Sequence, residues 1–282
     1  ALRAMSGAPI VIITRPEPQA SEWAQALQQD LGPRAQVLVL PLIEIAGVEH
    51  PAYRERLQVA WEQLPETAAA FFVSVPAVEH FFAAVPDAAA RWNALQVRAW
   101  APGRGTLHAL LAAGVSPERI DSPPQDAAQF DSETLWPLIQ PQLAAARAAG
   151  QCVLRVRGTD DPQPDAIHPD YGSGRDWMGE QLVQAGIRVR TVVAYQRQAP
   201  RWTDAQREAV RQLADARHLW LWSSSQALQN LQKLLPQQDW SRACALATHP
   251  RIAGKAAAAG YQSVLQTRPT LHDVSQSIQS WL

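Results

Sequence analysis

The sequence predicts an α/β protein of two lobes, each a parallel sheet flanked by helices. Three observations carry that prediction. Short apolar runs rich in β-branched residues alternate with amphipathic helical stretches, as in βαβ units whose sheet is covered on both faces. The order of these units occurs twice: βαβ, then strand–Ser–helix, then strand–loop–helix–Gly. Ile10 and Cys152 open the two copies, Ser74 and Ser223 end matching strands, and Gly114 and Gly260 end matching helices, each pair about 145 residues apart. Finally, the stretches 37–45 and 186–200 follow helix-ending glycines and read as crossings between the lobes. The second carries Tyr195, placed to face the cleft.

The first apolar run, Ile10-Val11-Ile12-Ile13, is a buried strand; residues 1–8 read as a loose leader. Thr14-Arg15-Pro16-Glu17 reads as a helix start, with a hydroxyl cap region, a proline and an acidic residue. The helix runs through Trp23, Leu27 and Leu31 to Gly32, and a strand follows at 37–40. A polar helical run covers Tyr53–Leu64. Ala69–Val73 is a strand ended by Ser74-Val75-Pro76, with a helix carrying Val78, Phe81 and Phe82. Val97–Trp100 is a strand ended by Pro102-Gly103-Arg104-Gly105-Thr106, with a helix to Gly114. A polar connector, 121–132, leads to a helix headed by Glu133. Then the order restarts. Cys152–Val156 is a strand ended by Arg157-Gly158, a helix covers Trp177–Ala185, and the Tyr195 strand follows with that residue at its far end. Leu219–Trp222 ends at Ser223-Ser224-Ser225 before a helix. Cys244–Ala247 ends at Thr248-His249-Pro250 before an Ala-rich helix to Gly260.

Composition narrows the function. A chain of 282 residues, 47% hydrophobic and 18% charged, suffices for two folded domains. A net charge of -1 gives no general field for nucleic acid or a membrane surface. Of 25 basic residues, all but Lys233 and Lys255 are arginine, which reflects either a GC-rich genome or carboxylate recognition. Two cysteines, Cys152 and Cys244, read as buried small hydrophobes, which suits a reducing cytoplasm. Asp160, Asp161, Asp165, His168 and Asp170 fit no EF-hand or zinc spacing and read as solvated loop.

The chemistry is predicted at the strand ends. In open parallel sheets the carboxyl ends of the strands line the ligand crevice, where helix N-termini attract anions. Thr14, Arg15, Ser74, Gly103, Arg104, Thr106, Arg157, Gly158, Ser223, Ser224 and Thr248 all fall there. Each hydroxyl is also an ordinary helix cap, and Tyr195 an amphipathic strand residue with its ring inward; common placement is what lifts the functional reading. GxGxxG, GxxxxGK[ST] and GxSxG motifs are missing, as is any Cys/His pair at an active-site spacing. The pattern suits a site that holds a polyanion without strong acid–base machinery. His249 reads as a cap.

In this setting the chain resembles the uroporphyrinogen-III synthase family over nearly its whole length. The matching pieces are I-I-T-R-P (12–16), P-L-I-E-I (41–45), V-S-V-P-A-V-E (73–79), P-G-R-G-T (102–106), S-P-P-Q-D-A-A-Q-F-D-S-E-T-L (122–135), V-L-R-V-R-G (153–158), V-V-A-Y-Q-R (192–197), W-S-S-S (222–225) and A-T-H-P-R-I-A (247–253). The resemblance implies lobes 1–41 plus 199–282 and 46–190, with 41–47 and 192–198 forming a two-stranded β-ladder hinge. It also implies the reaction: cofactor-free, metal-free cyclisation of hydroxymethylbilane, a linear tetrapyrrole polycarboxylate, to uroporphyrinogen III, with ring D inverted through a spiro intermediate. Tyr195 then matches the tyrosine that assists loss of the hydroxyl. Thr106 matches the threonine of the family's glycine-containing loop, and Ser74 and Ser223 match its strand-end serines. The expected protein is a cytoplasmic monomer, with a transient handover from hydroxymethylbilane synthase. One departure is Ile252, which stands where relatives often carry threonine and keeps open a second reading, a non-catalytic two-lobe binding or regulatory protein. A third, a nucleotide-binding enzyme, lacks its phosphate fingerprint.

Overall fold

The computed structural model describes residues 8–124, 127, 131–160 and 177–282. In chain order the elements are β1 (Ile10–Ile13), α1 (Gln19–Leu31), β2 (Gln36–Val39), β3 (Glu44–Gly47), α2 (Pro51–Glu62), β4 (Thr67–Phe72), α3 (Val75–Phe82), α4 (Ala88–Asn93), β5 (Arg98–Trp100), α5 (Arg104–Ala112), β6 (Ile120–Asp121) and α6 (Ser132–Ala148). There follow β7 (Cys152–Thr159), α7 (Trp177–Gln184), β8 (Arg188–Gln198), α8 (Asp204–Ala214), β9 (Leu219–Trp222), α9 (Ser225–Leu234), β10 (Cys244–Ala247), α10 (Pro250–Ala258), β11 (Ser263–Gln266) and α11 (Leu271–Trp281). The Asp161, Asp165, His168 and Asp170 positions, the leader up to residue 7 and part of the 121–132 connector lie outside the described residues. Among those described, no helix is long and apolar enough to cross a membrane.

The chain divides into two compact units, residues 1–44 with 198–282, and residues 45–197. One sheet has the order β2-β1-β9-β10-β11, with every neighbouring pair parallel. The other has the order β3-β8-β7-β4-β5-β6, parallel from β8 to β6. The two copies of the repeat are thus interleaved. Each sheet takes the opening βαβ unit of one copy and the three later strands of the other. Leaving β3 aside, the first sheet has the doubly wound order 2-1-3-4-5 and the second, counted in its own chain order, 3-2-1-4-5; in each the direction reverses beside the first strand of its βαβ unit.

In the first unit, Ala20, Leu27 and Leu31 of α1 and Val274 and Ile278 of α11 cover Val11, Ile13, Leu219, Leu221 and Leu246. The alternate residues Ile12, Trp220 and Trp222 point to the other face and are fully buried. In the second unit, α2, α3 and α5 cover Ala70, Phe72, Leu154, Val156 and Val192, while α6 and α7 cover Ala69, Phe71, Trp100 and Val153. Neighbouring residues of one strand thus enter two cores, as period-two side chains between two helical layers must. Fully apolar strands such as Ile10–Ile13 follow from this double coverage.

Three sequence expectations are corrected. The first helix begins at Gln19, with Pro18 rather than Thr14 at its N-cap position; the Glu17 carboxylate accepts from the Ser21 amide and hydroxyl. The strand opened by Cys152 does not end at Arg157-Gly158 but runs through both to Thr159, because β8 continues to pair with it. Tyr195 accordingly lies inside β8, three residues before its end.

Candidate active site

The strand ends bring the expected residues together as two sets, one in each unit. In the first unit, Thr14, Ser223-Ser224 and Thr248 follow β1, β9 and β10, which are hydrogen-bonded neighbours. Thr14 is buried and donates its hydroxyl to the Leu221 carbonyl at 2.7 Å; Thr248 donates to the Trp222 carbonyl at 3.4 Å. Both threonines thus anchor the end of β9. Ser224, not Ser223, caps α9, accepting from the amides of Gln226 and Ala227 at 3.2 and 3.4 Å. His249 caps α10 by accepting the Arg251 amide at its Nδ1. Arg15 lies half-buried with its guanidinium 3.8 Å from the Trp23 ring centroid, and burial lowers its pKa. Its Nε is buried without a hydrogen-bond partner.

In the second unit, Ser74, Gly103-Arg104-Gly105-Thr106, Arg157-Gly158 and Tyr195 come from β4, β5, β7 and β8, again neighbours in one sheet. Gly103 is the N-cap position of α5, Arg104 is exposed at its first residue, and Thr106 is buried at its third. Ile252 takes the same third position in α10 and is buried as well. The α10 copy therefore presents no hydroxyl where α5 presents Thr106. Arg157 is half-buried within β7.

Tyr195 owes its setting to an irregularity in the ladder. Val156 pairs with Val192 and Arg157 with Val193, but Gly158 pairs with Tyr195, so β8 carries one extra residue, Ala194. Strict alternation from Val192 would turn Tyr195 to the opposite face. The extra residue, a β-bulge, returns it to the face of Val156 and Val192, against α3. There the ring is 5% exposed and lies directly over Gly158; a Cβ at Gly158 would overlap its Cζ, Cε1 and Cε2. Glycine is needed at 158 to leave room for the ring.

Helix α3 holds Tyr195 at two places. Ser74 Oγ accepts the Ala77 amide at 3.3 Å as the helix cap and is 3.1 Å from the Tyr195 hydroxyl. His80, two turns on, stacks against the phenol with ring centroids 6.1 Å apart and planes at 24°. Burial holds the His80 imidazole below the ordinary histidine pKa, partly opposed by Glu79. Sequence reasoning missed His80. Its signal was its place on the helix that Ser74 caps, but only the bulge at Ala194 brings Tyr195 to that side.

The uroporphyrinogen-III synthase HemD family model matches residues 21–276, most of the chain. A comparison with curated proteins returns no match. Among solved structures, uroporphyrinogen-III synthetase from Helicobacter pylori 26695 is similar over 97% of this chain and 100% of its own, at 12% identity and a TM-score of 0.57. A mutant uroporphyrinogen III synthase from the extreme thermophile Thermus thermophilus is 16% identical over 97% of each chain, with a TM-score of 0.46. The Helicobacter likeness supports the fold, two parallel-dominated sheets flanked by helices. With the family model spanning nearly all of both sheets, the chain belongs to the uroporphyrinogen-III synthase family, the lyases of heme biosynthesis that cyclise hydroxymethylbilane without a cofactor.

Proposed function

We propose that Tyr195 is the residue that assists loss of the substrate's terminal hydroxyl, and that strand-end groups of each unit bind carboxylates of the substrate. The observation that carries this reading is the Ser74–Tyr195 contact of 3.1 Å at the carboxyl end of the second sheet. Ser74 already accepts the Ala77 amide, so its own proton is free to point at the phenol oxygen. The Tyr195 proton is then left for a ligand. Hydrogen bonding or proton donation to the departing hydroxyl is general-acid assistance. An electron-rich pyrrole expels the hydroxyl, and the azafulvene left behind is the electrophile for ring closure. The protein has then mainly to hold the chain in the conformation that closes with ring D inverted.

Carboxylate binding falls to groups of general anion affinity. The N-termini of α3, α5, α9 and α10 follow strand ends of the two sheets, and their first amides carry partial positive charge. Thr106, Ser223, Arg15, Arg104 and Arg157 are the side chains we place with them. Arg15 is apt because burial makes its cation welcome a partner anion. The buried free thiols of Cys152 and Cys244 fit a reducing cytoplasm. Spontaneous closure of the linear tetrapyrrole gives reason for a monomeric enzyme to receive it directly from hydroxymethylbilane synthase.

The test is a coupled assay with enzymatically made hydroxymethylbilane, oxidation of the products and separation of isomers I and III. Tyr195→Phe is expected to lower the rate of isomer III formation by about 10²-fold, the usual contribution of one acid–base group, while keeping its melting temperature. Wild-type turnover in that variant would remove Tyr195 from the mechanism.

A further inference from the structure

The machinery around Tyr195 includes a residue that does not itself reach the hydroxyl. A phenol fixed only at its oxygen can still swing about that contact. Here the ring has Gly158 beneath it and the Ser74 hydroxyl at its oxygen, and His80 stacks on it from α3. The imidazole also lines a cavity of about 550 Å³ together with Gly47, Val48, Arg54, Gln58 and Ala194. That cavity touches Ala194, the extra residue of the bulge that aims Tyr195. His80 therefore sits between a space that can yield and a ring that must not.

We propose that His80 is a positioning residue for Tyr195: its imidazole stacks on the phenol and fixes the ring plane, so that the hydroxyl held at Ser74 points where substrate is bound. This rests on the assignment of Tyr195 to the reaction. Aromatic pairs at this separation and angle contribute beyond plain burial. Burial keeps the imidazole below the ordinary histidine pKa, so the stacking partner at neutral pH is the uncharged ring. Glu79 is the charged neighbour on its own helix, Arg54 and Glu55 of α2 line the same cavity, and the end of β3 brings Gly47 and, just after it, Val48.

The experiment measures kcat and KM for isomer III formation in wild type, His80→Ala, His80→Phe, Tyr195→Phe and the His80→Ala/Tyr195→Phe double variant. His80→Ala should lower kcat between about 2-fold and 10-fold, the rate equivalent of one aromatic pair, with KM unchanged. His80→Phe keeps a flat ring, has the adjoining cavity to accept it, and should restore most of that loss. In the Tyr195→Phe background, His80→Ala should cost nothing further in kcat, because the group it positions has already lost its function. A residue that merely supported the fold would act additively and would raise KM or lower the melting temperature. If Tyr195→Phe keeps wild-type turnover, the assignment of Tyr195 fails. If Tyr195→Phe is impaired but His80→Ala is not, or the two act additively, the positioning role alone is overturned. Should His80→Ala fail to fold, His80→Gln, which keeps the bulk without an aromatic ring, takes its place with the same expected loss.

Discussion

A methyl group added at Gly158 has nowhere to go but into the Tyr195 ring. It would come within 3.0 Å of Cζ, Cε1 and Cε2 together, closer than real Cβ atoms stand to their neighbours. Those atoms belong to a rigid ring, so a small torsion of a flexible chain gives no relief. Either the ring swings off β7 or the two strands part. Overpacking of this kind costs about 1–3 kcal/mol, which lowers the melting temperature by about 2–10 °C in a domain of this size. The catalytic loss should be larger than the stability loss. A ring moved by about 1 Å leaves the 3.1 Å contact with Ser74, and displacements of that order cost about 10²-fold in rate. The coupled isomer assay reads the rate and thermal unfolding reads the stability. The clash also predicts a coupling: on a Tyr195→Ala background, Gly158→Ala should be nearly neutral for stability, within about 0.5 kcal/mol. Full turnover and an unchanged melting temperature in Gly158→Ala would refute the packing argument and, with it, the reason for glycine at 158.

Other expectations follow from the same geometry. Thr106→Ala should lower turnover more than Ser224→Ala, since Ser224 is occupied by the amides of Gln226 and Ala227; Ser224→Ala should instead lose about 1 kcal/mol of stability with its cap, and equal kinetic effects would undo this ranking. Acid should weaken the first unit at His218, whose Nδ1 accepts the Ile10 amide at 3.1 Å and can do so only when neutral. Burial, partly opposed by a backbone hydrogen bond at Arg217, holds its folded pKa below 6.5. The unfolded chain therefore binds the proton first, so the stability this group confers is present above 6.5 and is lost as pH falls through the lower folded value. Melting temperatures measured across that range should fall less steeply in His218→Gln than in wild type.

What the sequence disclosed depended on how local the signal was. Ile10–Ile13, Leu219–Trp222 and Cys244–Ala247 are strands at the expected residues, because four apolar residues between polar or glycine-rich flanks leave little choice. The Ser74 cap was legible for the same reason. Helix α8 is not among the expected elements, although Thr203 and Gln206 form a capping box, a signal present in the sequence as T-D-A-Q. The end of β7 differs from the expected one because Gly158 looks like a terminator, whereas glycine stands there to leave room for the ring across the ladder. The face of Tyr195 could not be read at all. Val192-Val193-Ala194-Tyr195 is apolar throughout, so its pattern carries no phase, and the bulge that sets the phase is a property of two strands. His80 was hidden behind that same uncertainty.

The interleaving of the two copies also sets an order of assembly. Residues 45–197 are continuous, so the six strands of the second sheet can all have left the ribosome while the first sheet still has only β1 and β2. Those two strands wait for β9, whose pairing with β1 joins residues some 208 positions apart. Closing a loop of that length costs about 5 kcal/mol in chain entropy, and contacts so distant in sequence form late. Until then Ile10-Val11-Ile12-Ile13 has an unfilled edge beside it, the kind of segment that invites a chaperone or a wrong partner. A nascent chain stopped short of Leu219 should therefore protect the amides of β4 and β7 from exchange while those of β1 remain open.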